Sequence, residues 1–519
     1  MRPNHFTSWI IIAFATVSAV CAQPEKTVPG SGEKFEICLS DGTSMLRQRR
    51  YSQALDKFDQ ALAIKPRSAH ALSLKARALK FLNRSDDALA AISKAKQYEP
   101  KSVQPYLSLA SFSLREKNVA RAKEYLAQAE RLEPHNYEVA GLMSTSLVIE
   151  KDYKGALVYA NESVRRHPDA YRFAQRAAIY RNLGQRSNEL KDYDRAVALD
   201  PKNPSFATER ATTLFQAGNV QQAMKEVNRA ISLDDKFAPA YHIRANVYLV
   251  MKQKAAAIAD ASKAISLEES GHYYHFRGAV FESMRELRRA LSDELKAEKL
   301  LPDQPAVKVA ISRLYHSLLE PKLALKYITE AIKLDPKNSD YYDERSQIYR
   351  TMMEYELSVA DDSKSIEYAK RPPVNAYINR IRYYRAKKKF DLALKDQNQL
   401  ISMLPNRVGL KEGRALIYLE RAEHTNSRAD YQHAKEDLDE VLIALPNETH
   451  YSMRAQANLK LGNLKAALAD VNQAIVKQPG MSSYYQLRAD IHKAMGKTEE
   501  MRKDMAAAKV ADDAALPPH

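Results

Sequence analysis

The chain of 519 residues is 45% apolar and 28% charged, the balance of a folded polypeptide and not of a disordered one. One compact core does not extend over such a length. Only 14 glycines leave few of the turn residues that β-rich folds use, so the composition predicts an all-α chain. A net charge of +16 favours acidic partners such as anionic polymers, acidic peptides or lipid head groups.

The first 22 residues stand apart. Arg2 and His5 precede an apolar run from Phe6 to Val20, and Val20-Cys21-Ala22 puts small residues at the cleavage positions. This three-part form predicts a secretory signal peptide over 1–22, cut after Ala22. The run is about 15 residues, short of the ~20 that a spanning helix needs. A lipid-modified Cys21 is the less favoured alternative, because Ser18-Ala19-Val20 departs from a lipobox. Residues 23–34, with Pro24, Pro29, Gly30 and Gly32, read as a flexible leader. The mature chain then keeps Cys38 alone and forms no internal disulfide. Its 79 basic and 64 acidic residues leave +15. Export makes nucleic acid the weaker anionic partner, and no later segment approaches a membrane span.

A small residue recurs through the rest. From Ala177 it reappears at Ala211, Ala245, Gly278, Ser312, Ser346, Ala415, Ala455 and Ala489, with Ile381 in the same register. Backwards it falls at Ser144, Ala110, Ala76 and Gly42. The spacing is 33–35 residues except for one step of 40, where His424 to Asp430 are inserted. Prolines give a second ruler: Pro66, Pro100, Pro134, Pro168, Pro201, Pro302, Pro336, Pro405, Pro446 and Pro479. Two rulers in agreement define about fourteen repeats over 35–511, followed by a tail, 512–519.

Numbering each repeat so that Ala177 is position 8 puts small residues at 8, 20 and 27, an aromatic near 11 and proline at 32. This pattern resembles the tetratricopeptide repeat. Repeat 2 carries Ala76, Ala88, Ala95 and Pro100 in those places, and repeat 13 carries Ala455, Ala467, Ala474 and Pro479. Tyrosines, among them Tyr241, Tyr342 and Tyr485, replace the family's Trp at position 4, and repeat 1 is degenerate. The resemblance implies an all-α solenoid of antiparallel helix pairs, wound as a right-handed superhelix with first helices lining its inner surface. One pair cannot bury both of its faces, so stacking is obligatory.

Position 7 holds arginine in nine repeats: Arg176, Arg210, Arg244, Arg277, Arg345, Arg380, Arg414, Arg454 and Arg488. Position 23 of those same repeats holds an acid: Asp192, Glu226, Asp260, Asp293, Asp361, Asp396, Asp437, Asp470 and Asp504. If positions 8 and 20 face each other across antiparallel helices, 7 and 23 are offset by only ~3 Å along the axis. Each pair is therefore expected to join the two helices of its repeat and not to serve a ligand. Repeat 9 lacks both partners (Ile311, Tyr327), repeat 1 reverses them (Asp41, Lys57), and repeat 2 breaks the pairing with Lys75 and Ala91.

Catalytic signatures are missing from the sequence: no GxSxG, HExxH, P-loop or glycine-rich dinucleotide turn. No cofactor or enzyme activity is expected. By the family resemblance, first-helix positions 2, 5, 9, 12 and 13 face the inner groove. Repeats 7–11 place there His242, Asn246, His275, Arg313, His316, Asp343, Gln347, Arg350, Arg382 and Arg385 as candidate ligand contacts. The run RIRYYRAKKK (380–389) adds a basic patch. His242 and His275 share a position in adjacent repeats, but helix layers lie ~8–10 Å apart and zinc–imidazole bonds are near ~2.1 Å, so no metal is expected. The clamp by which some family members grip chaperone tails finds only Ser73, Arg77 and Ser108 in repeats 2 and 3, which is no match. The reading is a non-catalytic scaffold outside the cytoplasm, secreted or periplasmic, binding a protein or peptide, acidic in character, along its groove. The alternative is an envelope factor that grips an anionic glycan or polymer.

Overall fold

The computed structural model describes residues 30–47, 50–371 and 373–515. The expected signal peptide, residues 23–29 of the leader and the last four residues of the tail lie outside the described residues. Within them the chain is all-α: twenty-eight helices in fourteen consecutive pairs. They run from α1 (Ser31–Arg47) with α2 (Tyr51–Ile64) to α27 (Ser482–Ala494) with α28 (Thr498–Ala515). This is the α-solenoid that the repeat spacing predicts. Both of its ends extend further than the repeat boundaries 35 and 511. Helix α1 opens inside the stretch read as leader, with Lys34 N bonding to Gly30 O at 3.0 Å, and buries Phe35 and Leu39.

Two compact units are present, one ending at Tyr273 and one beginning at Tyr274. In the first, α3 (Ala69–Phe81), α5 (Gln104–Arg115) and α7 (Tyr137–Ile149) belong to successive repeats and pack on one another. In the second, α23 (Gly409–Thr425), α25 (Glu448–Leu461) and α27 do the same. In each unit these first helices therefore lie side by side.

The local chemistry repeats with the sequence. Proline at 32 stops a second helix, and one or two residues later a short polar side chain caps the next first helix. Asn136 Oδ1 accepts from the Glu138 amide at 2.7 Å, and Asp169 Oδ1 from the Arg172 amide at 2.9 Å. Positions 8 and 20 meet as expected. Ser144 and Ser312 at position 8 each donate to the carbonyl at position 20, of Ala156 and Ala324, at 2.8 Å. Tyrosine at position 4, where the family has Trp, anchors the start of the helix. The hydroxyls of Tyr241, Tyr342 and Tyr485 donate to carbonyls six residues back at 3.0–3.1 Å, tying each helix start to its preceding loop.

Repeat 5 departs from the small-residue rule. Its position 20 is Glu189, fully buried. Arg181 Nε holds it at 2.6 Å, Arg186 Nη1 at 3.1 Å and Thr213 Oγ1 at 2.8 Å. A carboxylate survives there because its oxygens are satisfied.

Candidate functional site

All nine position-7 arginines meet the acid of their own repeat, with shortest N···O distances of 2.6–2.9 Å. In most of them Nε and Nη2 take the two carboxylate oxygens side by side, as in Arg345 with Asp361 at 2.7 Å for both. The acids are buried and the arginines largely covered. The contact raises the arginine's pKa: the hydrogen bond that Arg345 donates to Asp361 is the main cause there, and the one that Arg454 donates to Asp470 is the main cause at Arg454. Repeat 1 forms the same bridge in reverse, Lys57 Nζ to Asp41 Oδ2 at 2.8 Å. Lys75 of repeat 2 pairs backwards instead, with Asp59 of repeat 1 at 2.5 Å.

The arginines do more than the sequence reading assigned. The third guanidinium nitrogen reaches position 25 of the preceding repeat: Arg176 to Asn161 at 3.0 Å, Arg414 to Asn398 at 2.8 Å, Arg488 to Asn472 at 2.9 Å. Each of these residues therefore joins three helices in two repeats. The signal was present in the sequence. Position 25 is Asn, Asp, Ser or Thr before arginine-bearing repeats, and becomes Leu295 just before repeat 9, where Ile311 replaces the arginine.

The candidate groove residues divide into internal and exposed sets. In the first unit His242 is buried, its ring 5.0 Å from that of Tyr273, and burial brings its pKa down to about 4. Asn246 spends its amide on the His242 carbonyl at 2.8 Å. His242 is thus internal, which corrects the expectation for it, while Asn246 is half-buried with its amide engaged.

In the second unit His275 Nδ1 lies 2.8 Å from Glu294, whose buried carboxyl is raised by desolvation. Gly278 makes that contact possible, since a Cβ there would come within 3.0 Å of Glu294 Oε1. His316 Nε2 is 2.7 Å from Thr351 Oγ1. Arg350 Nη1 turns inward to Ser346 Oγ at 2.8 Å and lies 3.8 Å from buried Asp362, whose pKa burial raises to about 6. Arg385 is forked on Glu420 of the next repeat, at 2.8 and 2.5 Å. Arg350 and Arg385 are thus internal struts. Leu107 and Leu114 of repeat 3, at comparable first-helix positions, are core.

What stays open is a row at position 9 of three successive first helices, α17 (Pro305–Ser317), α19 (Ser339–Thr351) and α21 (Val374–Ala386). Arg313, Gln347 and Arg382 are all exposed there. Gln347 Nε2 donates to Asp343 Oδ2 at 3.1 Å, and Arg313 Nε stands 3.8 Å from Glu344. Within the basic run, Lys387 Nζ meets Glu356 at 3.1 Å while Arg382, Lys388 and Lys389 are exposed. Among the described residues no group of three His, Cys, Asp or Glu side chains is placed to hold a metal ion. No helix among them is long and apolar enough to cross a membrane.

Models of the tetratricopeptide repeat match residues 45–111, 172–203, 238–270 and 306–338. Over those segments the chain carries tetratricopeptide repeats. It is similar to Hsp70-Hsp90 organizing protein 2 of Arabidopsis thaliana, 32% identical over 130 residues, which are 24% of this chain and 23% of that protein. It is also similar to serine/threonine-protein phosphatase 5 of Rattus norvegicus, 30% identical over 114 residues, 22% of each chain. The chain spans less than a quarter of the length of the curated relatives it matches. Among solved structures, a tetratricopeptide repeat protein from Parabacteroides merdae is 17% identical, covering 47% of this chain and 98% of that one, with a TM-score of 0.40.

Proposed function

We propose that the protein is a non-catalytic scaffold that binds an acidic protein or peptide segment across the first helices of repeats 9–11, outside the cytoplasm. One observation carries the reading: Arg313, Gln347 and Arg382 are exposed at the same position of consecutive first helices, whereas the other arginines and histidines of the candidate set are engaged internally. Two guanidinium groups two repeats apart suit carboxylates spaced along an extended or helical segment, because each can fork onto one carboxylate. The proposal does not extend to chaperone tails. The residues that would have to serve a clamp in repeats 2 and 3 are buried, with Arg77 Nε donating to Ser108 Oγ at 3.2 Å.

Export rests on the N-terminal sequence alone; N-terminal sequencing of secreted or periplasmic protein should begin at Gln23. Binding is tested with an array of acidic peptides and protein ligands, comparing wild type with Arg313→Ala/Arg382→Ala. Loss of binding with an unchanged thermal transition supports the row as the site, and undiminished binding removes it. An anionic glycan or polymer remains the second reading on the strength of the +16 charge. Both kinds of binding would weaken with salt, so competition separates them: polymer binding should persist against an excess of acidic peptide.

A further inference from the structure

The turn between the two helices of repeats 2–11, 13 and 14 passes through a left-handed residue at position 15. Gly, Asn, Lys or Arg fills it elsewhere, but repeats 9 and 10 use Leu319 (φ 63°) and Met353 (φ 61°). Each is the left-handed step of a helix C-cap, with the Glu320 and Glu354 amides donating to Tyr315 O and Tyr349 O, both at 2.9 Å. Bulky side chains are disfavoured at positive φ. Packing does not compensate, because Leu319 is 82% and Met353 75% exposed.

A second position shows the same anomaly. Four residues on, position 19 is Leu323, Leu357 and Leu392 in repeats 9, 10 and 11, all exposed. Elsewhere that position is polar or small, as in Asp87, Asn188 and Arg289. Leu319 and Met353 lie in the turns that lead into the helices carrying Leu323 and Leu357, and Leu392 holds the same place one repeat on, so the five exposed side chains gather as an apolar ridge along the turn edge of repeats 9–11. Isolated exposed hydrophobics need no explanation, but a contiguous set does.

Its electrostatics indicate the occupant. Through repeats 8–11 the apex position reads Arg285, Leu319, Met353, Lys388, two apolar tips between two exposed cations. Lys322 and Lys389 add to the flanks; of the nearby acids Glu286 is held by Arg289, Glu356 by Lys387 and Asp391 by Arg421, which leaves exposed Glu320 and Glu354 against the exposed cations Arg285, Lys322, Lys388 and Lys389. A ridge of projecting tips gives a rigid helix no cleft to enter. A bilayer interface is deformable, takes apolar tips into its acyl boundary and presents anionic head groups to flanking cations. We propose that this edge docks the protein peripherally on anionic phospholipid. The position-9 row takes no part, so this proposal and the scaffold reading stand or fall separately.

Co-sedimentation tests it, with vesicles of phosphatidylcholine carrying about one third phosphatidylglycerol, in about 0.1 M salt. Wild type should bind these vesicles and not pure phosphatidylcholine. Leu319→Gly/Met353→Gly should partition about ten-fold more weakly while its melting temperature holds or rises, since glycine accepts the left-handed φ. Leu323→Gln/Leu357→Gln should also weaken binding. Equal binding by the glycine variant overturns the proposal. So does wild type that ignores both vesicles, including the case where the ridge instead mediates self-association or holds an acidic protein.

Discussion

Arg244 grips Asp260 with two parallel bonds, Nε to Oδ2 at 2.6 Å and Nη2 to Oδ1 at 2.9 Å, and sets Nη1 on Asn228 of the preceding repeat at 2.9 Å. Asp260 is buried, so removing the guanidinium leaves a carboxylate with neither water nor counter-ion. Arg244→Ala should destabilise by about 3 kcal/mol in urea unfolding followed by helical circular dichroism. Arg244→Met/Asp260→Leu should lose less than the single change, because no charge is stranded. Asn228→Ala should cost about 1 kcal/mol, the worth of one hydrogen bond to a charged group at a partly open site. A loss of partner binding by Arg244→Ala without loss of stability would contradict the structural role.

Histidines should make the first unit acid-sensitive. Burial lowers His242 to about 4, with the His272 charge adding to the effect; burial and the Arg77 charge bring His70 to the same range. Unfolded, each binds a proton near the ordinary value of 6.5. Between those limits the unfolded chain holds more protons, so stability falls as pH drops from about 6.5 towards 4. Hydrogen exchange resolved by peptide should show repeats 2 and 7 losing protection on going from pH 7 to 4.5. Unchanged protection there would contradict the assignment.

Asp362 in the second unit works with the opposite sign. Burial raises it to about 6, against the Ser346 hydrogen bond and the Arg350 charge, which both favour ionisation, while Asp343 adds to the rise. The folded state then holds its proton more tightly than the unfolded chain, whose value is 3.8. Its contribution is present below about 4 and is lost as pH rises through about 6. Asp362→Asn should be more stable than wild type at pH 8, on the order of 1 kcal/mol, and nearly equal to it at pH 4. Arg350→Ala should be costlier at pH 8 than at pH 4. A pH-independent penalty for Arg350→Ala would show that Arg350 and Asp362 are uncoupled.

Much of the architecture was legible because a 34-residue period repeats the same physics many times. The proline after most second helices and the small residue at position 8 fix the helix count, and covariation of positions 7 and 23 pointed to bridges such as Arg488 with Asp504. Contacts between repeats were less visible. Arg385 sits at a position that faces the groove by family geometry, yet it is spent on Glu420, thirty-five residues away. His242 was read as groove wall, and its burial depends on Tyr273 of the following repeat. Glu189 breaks the small-residue rule, and only the positions of Arg181, Arg186 and Thr213 explain its tolerance.

The most direct test of the scaffold reading is hydrogen exchange on wild-type protein with and without a bound acidic partner. Protection should concentrate on the first helices α17, α19 and α21, and it should disappear in Arg313→Ala/Arg382→Ala, which keeps its thermal transition. Protection confined to repeats 1–4, or the same footprint in the double variant, would contradict it.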